Sequence, residues 1–156
     1  MAELTGAIQI AGTDTSQIDT SKIYALGQRA IDVNGNEYIY VQGVASGIIN
    51  AWVTYDELGV TTLLAANAIG FVAVLMSALD ATTDFGWACV RGTCEATIAA
   101  NSSDNALLGR ETTDGLAGDG YSAGDMIYGA VLRDAVTTAA TATVQLVYPF
   151  VTDEST

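Results

Sequence analysis

The chain has 156 residues, half of them hydrophobic, with one proline and no histidine. Its 18 Asp and Glu against 5 Lys and Arg leave a net charge of −13, which repels phosphate and argues against nucleic acid and anionic membrane surfaces as partners. Without an imidazole, a Ser-His-Asp triad, a Cys-His pair and a histidine metal site are all excluded, and the length suits one domain of roughly 100–150 residues.

The first 22 residues read as an extended arm. Ile8 and Ile10 share one face of a possible short strand, and Ile18 is the one apolar anchor in the polar run that follows. Such a segment orders against a neighbour or frays as many chain ends do. The opening residues carry no cationic stretch leading into an apolar run, and the longest apolar stretch, residues 65–79, is interrupted by Asn67 and Gly70. It falls short of the roughly 20 apolar residues of a membrane helix, so the expectation is synthesis in the cytoplasm with no membrane contact.

The body is expected to run over residues 23–151, with 152–156 as a short tail. Its 19 threonines and its short Val and Ile runs, punctuated by 16 glycines, favour strands, and helical stripes are hard to find. The expected fold is therefore all-β: a single compact barrel or sandwich of about eight to ten short strands behind the arm. Asn34-Gly35 between apolar runs predicts a hairpin with a two-residue type I′ turn. In the strand that follows, Tyr38, Tyr40 and Gln42 take one face and Ile39 and Val41 the other. Further strands are expected at 48–55, 70–78, 85–90, 93–99, 127–133 and 142–148. Residues 57–66 fit a strand or a short helical turn. Residues 101–125 are polar and glycine-rich, with Leu107, Leu108 and Leu116 as anchors for one or two very short strands.

The motifs with chemical overtones are better explained without chemistry. The glycines of 115–120 lack the lysine of a phosphate loop and stand among Asp114, Asp119 and Asp125, which fits a turn region. Residues 32–37 resemble the start of a calcium loop, but Glu37 stands at the sixth position where Gly is needed, and Gly43 at the twelfth where Glu is needed. Asp56-Glu57 and Asp80 with Asp84 flank strands as turn acids. Cys89 and Cys94 leave two geometries open. A turn at Arg91-Gly92 would bring them face to face across a hairpin. A continuous strand would set them roughly 16 Å apart on opposite faces. Phe85, Trp87 and Cys89 form a core stripe, and Trp52 with Tyr55 is the better candidate for a subunit contact. No catalytic, metal or cofactor residue is assigned.

Three stretches stand out: Tyr24-Ala25-Leu26-Gly27-Gln28-Arg29 running on to Asn34-Gly35-Asn36-Glu37-Tyr38-Ile39-Tyr40-Val41-Gln42, then Asp84-Phe85-Gly86-Trp87-Ala88-Cys89-Val90-Arg91-Gly92-Thr93-Cys94, and last Gly129-Ala130-Val131-Leu132 with Val144-Gln145-Leu146-Val147-Tyr148-Pro149. Together they resemble the capsid decoration (cement) proteins of tailed bacteriophages. The likeness covers about residues 24–151 and departs from the family's texture at Thr93-Cys94, where Pro-Cys would be expected. It implies a virion protein without an active site or cofactor, bound to the outer surface of the capsid. There it would bridge neighbouring major capsid subunits as a homotrimer. The candidate interface residues are then Ile8, Ile10, Ile18, Trp52 and Tyr55, with an arm strand adding to a sheet edge of the shell or of a sister subunit. A tail or head-fibre subunit, or a carbohydrate-binding β-domain lined by Trp52, Tyr55 and residues 114–125, are the alternatives.

Overall fold

Short apolar runs broken by Gly and Asn form ten strands in a computed structural model, which describes residues 14–122 and 124–153. They are β1 Arg29–Ile31, β2 Glu37–Gln42, β3 Trp52–Tyr55, β4 Thr61–Leu63, β5 Gly70–Leu75, β6 Phe85–Ile98, β7 Leu107–Arg110, β8 Ala117–Gly118, β9 Met126–Leu132 and β10 Ala140–Val151. The protein is all-β, with no helix among the described residues. The strands form one sheet in the order β1-β2-β6-β8-β7-β9-β10-β5-β3-β4, with β6 also paired to β10 and to β5.

Those extra pairings shape the molecule. Residues 140–147 of β10 lie against residues 91–98 of β6, so β6, β8, β7, β9 and β10 close into a ring. Beyond Arg91 and Val147 the two long strands part and β5 enters between them. It pairs Val74 with Cys89 on one side and Phe71 with Phe150 on the other. The period of two along each strand then divides the apolar residues into two clusters. Tyr38, Tyr40, Trp52, Val74, Trp87, Leu108, Ile127 and Leu146 belong to the larger cluster, inside the ring and its extension. Ile39, Val41, Val53, Leu75, Ala88 and Val90 form the smaller one on the other face, together with Leu79. Leu79 brings the 76–84 loop onto that face, and its carbonyl accepts the Val44 amide of the 43–51 loop at 3.1 Å. The centres of β2, β3, β5 and β6 are thus buried on both faces, which is why they read as nearly continuous apolar runs.

Several local expectations are corrected. The hairpin between β1 and β2 turns through a longer loop than a type I′ pair. The Gly35 amide donates to the Asp32 carbonyl at 3.1 Å, the Asp32 amide donates to the Asn36 carbonyl at 2.9 Å, and of Asn34 and Gly35 only the glycine has φ > 0. This is a type I turn closed by a left-handed glycine. It wins because Asp32 Oδ1 accepts the amides of Asn34 and Asn36, at 2.8 and 2.9 Å, and so stabilises the wider turn.

Residues 85–90 and 93–99 are one strand, with no hairpin at Arg91-Gly92. The two cysteines nonetheless share a core cluster. Tyr38 pairs with Cys89 but Glu37 with Arg91, so Val90 is an extra residue that shifts the strand's phase by one. Gly92 sits at φ +100°, and a side chain there would run into Asn36, whose Oδ1 accepts the Thr93 amide at 2.9 Å. Both thiols are free and buried. The strand expected over 48–55 begins only at Trp52, leaving Ile48 and Ile49 exposed in a loop, while the ambiguous 57–66 stretch supplies strand β4. Asp19 is buried and exchanges backbone hydrogen bonds with Phe85, both at 2.8 Å, which ties this point of the chain to β6.

Candidate functional site

On β5, β9 and β10, Val72, Ile127 and Val151 point into the larger cluster, so their strand neighbours Phe71, Tyr128 and Phe150 point outward. Register aligns them. Tyr55 pairs with Phe71, Phe71 with Phe150, and Phe150 with Tyr128, which makes one aromatic row across β3, β5, β10 and β9. Adjacent strands lie about 4.8 Å apart, close enough for rings in register to touch. Tyr55 stacks on Phe71 with centroids 5.9 Å apart and planes inclined by 23°, and Phe71 meets Phe150 edge to face at 5.5 Å. Phe71 is 52% exposed and its neighbour Ile69 is 67% exposed, a large apolar area to leave in water.

Tyr55, Phe71 and Phe150 of the row form the floor of a groove of about 860 Å³. One wall comes from the β1 side at Gly27 and Arg29, the other from Asp56 and Glu57 beyond β3, and Tyr148 closes one side. Arg29 ties the walls together. Its Nη1 lies 3.3 Å from Glu37 Oε1, its Nη2 donates to the Tyr55 hydroxyl at 3.5 Å, and its guanidinium stands 5.9 Å above the Tyr148 ring. The Tyr148 hydroxyl donates to the other Glu37 oxygen at 2.5 Å. Burial pushes the Tyr55 phenol above its ordinary pKa against the pull of Arg29, and the hydrogen bond to Glu37 does the same for Tyr148. Both hydroxyls therefore stay protonated at neutral pH and can donate. Tyr148 has φ +46°, a left-handed conformation rare for an aromatic and disfavoured before Pro149. Backbone strain of this kind persists only where surrounding contacts hold it, here Glu37 and Arg29.

Of the three expected interface residues that the structure describes, Tyr55 lines this groove and Ile18 and Trp52 do not. Trp52 is corrected to a core residue. It is 0% exposed, and its indole donates to the Thr97 carbonyl at 2.9 Å. It stands three positions before Tyr55, an odd spacing that puts the two on opposite faces of β3. The glycan-site lining of Trp52, Tyr55 and residues 114–125 is for that reason not assembled: Gly115 packs against Trp52, whose amide donates to the Gly115 carbonyl at 3.0 Å. Ile18 is 42% exposed beside Asp19 at the Phe85 end of β6, away from the groove lining. Ile8 and Ile10 lie outside the described residues. Sequence reasoning missed Phe71, Phe150, Tyr128, Tyr148 and Arg29. The available signal was phase, since Phe71 and Phe150 alternate with the core residues Val72 and Val151.

No family model matches this chain, and neither a curated protein nor a solved structure is similar enough to match it.

Proposed function

We propose that this chain is a decoration protein of a tailed-phage capsid, which binds the outer surface of the shell as a homotrimer and bridges neighbouring major capsid subunits. The observation that carries the reading is the aromatic row, ring area held open on a rigid sheet face where a partner's surface can cover it. Aromatic side chains supply large contact area at little conformational cost, and a sheet fixes their spacing before binding. The acidic surface supports the same reading, because it keeps the protein soluble at high concentration and away from packaged DNA. The likeness of residues 24–151 to capsid decoration proteins points the same way. Bound in many copies, modest single contacts sum through multivalency into resistance to internal pressure.

Electron microscopy and quantitative mass spectrometry of particles purified from cells that express the encoding locus test this. The expected result is outer knobs on the shell in copy numbers comparable to the major capsid protein. A protein present in the lysate but absent from particles, or confined to a few copies on the tail, overturns it.

A further inference from the structure

The groove also indicates what kind of surface it meets. We infer that its occupant is an extended segment of the partner protein carrying alternating basic and aliphatic side chains, an inference that rests on the shell-binding reading above.

Two features of the groove argue for a cationic occupant. The molecule's −13 charge and the wall carboxylates Asp56 and Glu57 attract cations and repel anions, so an acidic peptide or a nucleic acid is disfavoured. Arg29 shows how a cation is held here, between the Tyr148 ring, a Glu37 oxygen and the Tyr55 hydroxyl. Ring face plus carboxylate is the pairing that holds a guanidinium or ammonium group, and it gains strength as water leaves. A partner's lysine or arginine laid over Phe71 beside Glu57 would meet the same combination.

The apolar half of the argument is the floor. Phe71 and Ile69 offer exposed hydrocarbon between the charged walls, which suits aliphatic side chains rather than a fully charged run. An extended segment alternates its side chains at a period of two, so one face can seat aliphatic groups on the floor while flanking basic groups reach the walls. A neutral saccharide could stack on the near-parallel Tyr55 and Phe71 rings, but it would gain nothing from the surrounding charge.

The experiment titrates the full-length protein, followed by NMR, with three probes: an acetylated hexapeptide alternating valine and lysine, its glutamate counterpart, and cellohexaose. The expected result is saturable shifts at Phe71 and Tyr148 with the lysine peptide alone. Its affinity should fall about tenfold or more between about 0.05 and 0.5 M salt, as the screening length drops from roughly 14 to 4 Å. Phe71→Ser, a change at a half-exposed position, should abolish the shift at Tyr148 while lowering the thermal midpoint by about 3–8 °C, the cost of its ring contacts with Tyr55 and Phe150. Glu57→Gln should weaken binding and flatten the salt dependence. Binding of cellohexaose independent of salt, equal binding of the two peptides, or no saturable binding overturns the inference. Particles that keep Phe71→Ser protein at full occupancy overturn the groove while leaving the shell reading intact. Peptide binding by a protein absent from particles does the reverse.

Discussion

The hydrogen bond between Tyr40 and Asp19 ties the chain ahead of β1 to the core of β2. Tyr40 is buried on β2, with its ring edge-on to Tyr24 at 5.2 Å and to Trp87 at 5.1 Å. Its hydroxyl donates to Asp19 Oδ2 at 2.6 Å and accepts the Ile23 amide at 3.4 Å. Replacing Asp19 by Ala removes the acceptor and leaves a phenol donor facing apolar neighbours. A hydrogen bond to a carboxylate contributes about 1.5–3 kcal/mol, and an orphaned buried polar group costs about 1–3 kcal/mol, so Asp19→Ala is expected to cost about 2–3 kcal/mol. Tyr40→Phe removes the same bond from the other end and should cost about 1.5–2 kcal/mol. The double variant should then resemble the worse single one, with a coupling of about 1.5 kcal/mol. In a domain of this size that lowers the melting temperature by about 5–10 °C for Asp19→Ala. Urea unfolding followed by the fluorescence of buried Trp52 and Trp87 measures all three variants. Additivity within about 0.5 kcal/mol would refute the coupling. By the same reasoning, a truncation through residue 22 loses at least what Asp19→Ala loses, so a cut meant to test the arm alone must end before Asp14.

Three further expectations follow from the structure. Asp32 Oδ1 accepts the Asn34 and Asn36 amides, and Oδ2 accepts from Asn36 Nδ2 at 2.8 Å and the Tyr38 hydroxyl at 3.0 Å. Burial opposes its ionisation, but these bonds outweigh it and hold its pKa below the ordinary carboxylate range. The stabilisation is therefore present above about pH 4 and lost as acid titrates the folded carboxylate below that. Asp32→Asn should flatten the acid limb of a melting-temperature profile, and a parallel limb in the variant would count against the assignment. Gly129 has φ +79°, and a Cβ there would lie 2.6 Å from the Val147 carbonyl oxygen, so Gly129→Ala is expected to cost about 2 kcal/mol or more in urea unfolding. A loss under about 0.5 kcal/mol would show that β9 and β10 can shift freely there. Hydrogen bonding to Cys89 and burial both push the Cys94 thiol up, so a thiol reagent at neutral pH should label neither cysteine until the protein unfolds. Rapid labelling of the native protein would contradict that burial.

Much of the strand inventory was legible because alternation is a local signal. The split of Tyr38 and Tyr40 from Ile39 and Val41, and the inward stripe of Phe85, Trp87 and Cys89, follow from a period of two within a single strand. The same arithmetic failed at Cys89 and Cys94, because one bulged residue reverses every later prediction of face, and Gly92 marks that bulge only once Asn36 is seen packed against it. Trp52 and Tyr55 were grouped by aromatic character when their odd spacing already set them on opposite faces. The groove was out of reach for a different reason. Its row joins residues 55, 71, 128 and 150 through three strand registers, and nothing local to any of those strands states its register with a strand far away in the chain.

The row's position follows from how the sheet divides. Where β6 and β10 part, β5 fills the gap, and the outer face of that region needs a cover. Val44 and Ala51 of the 43–51 loop and Leu79 of the 76–84 loop pack on the smaller cluster there, but the face at Phe71 and Phe150 stays open. The rings there stabilise the sheet through their cross-strand contacts, but only in part. The half-exposed Phe71 leaves much of its burial energy unrealised, and Tyr148 holds a left-handed backbone beside it. If the proposed shell contact forms here, the burial energy that Phe71 leaves unrealised in the free protein becomes available when the partner covers it.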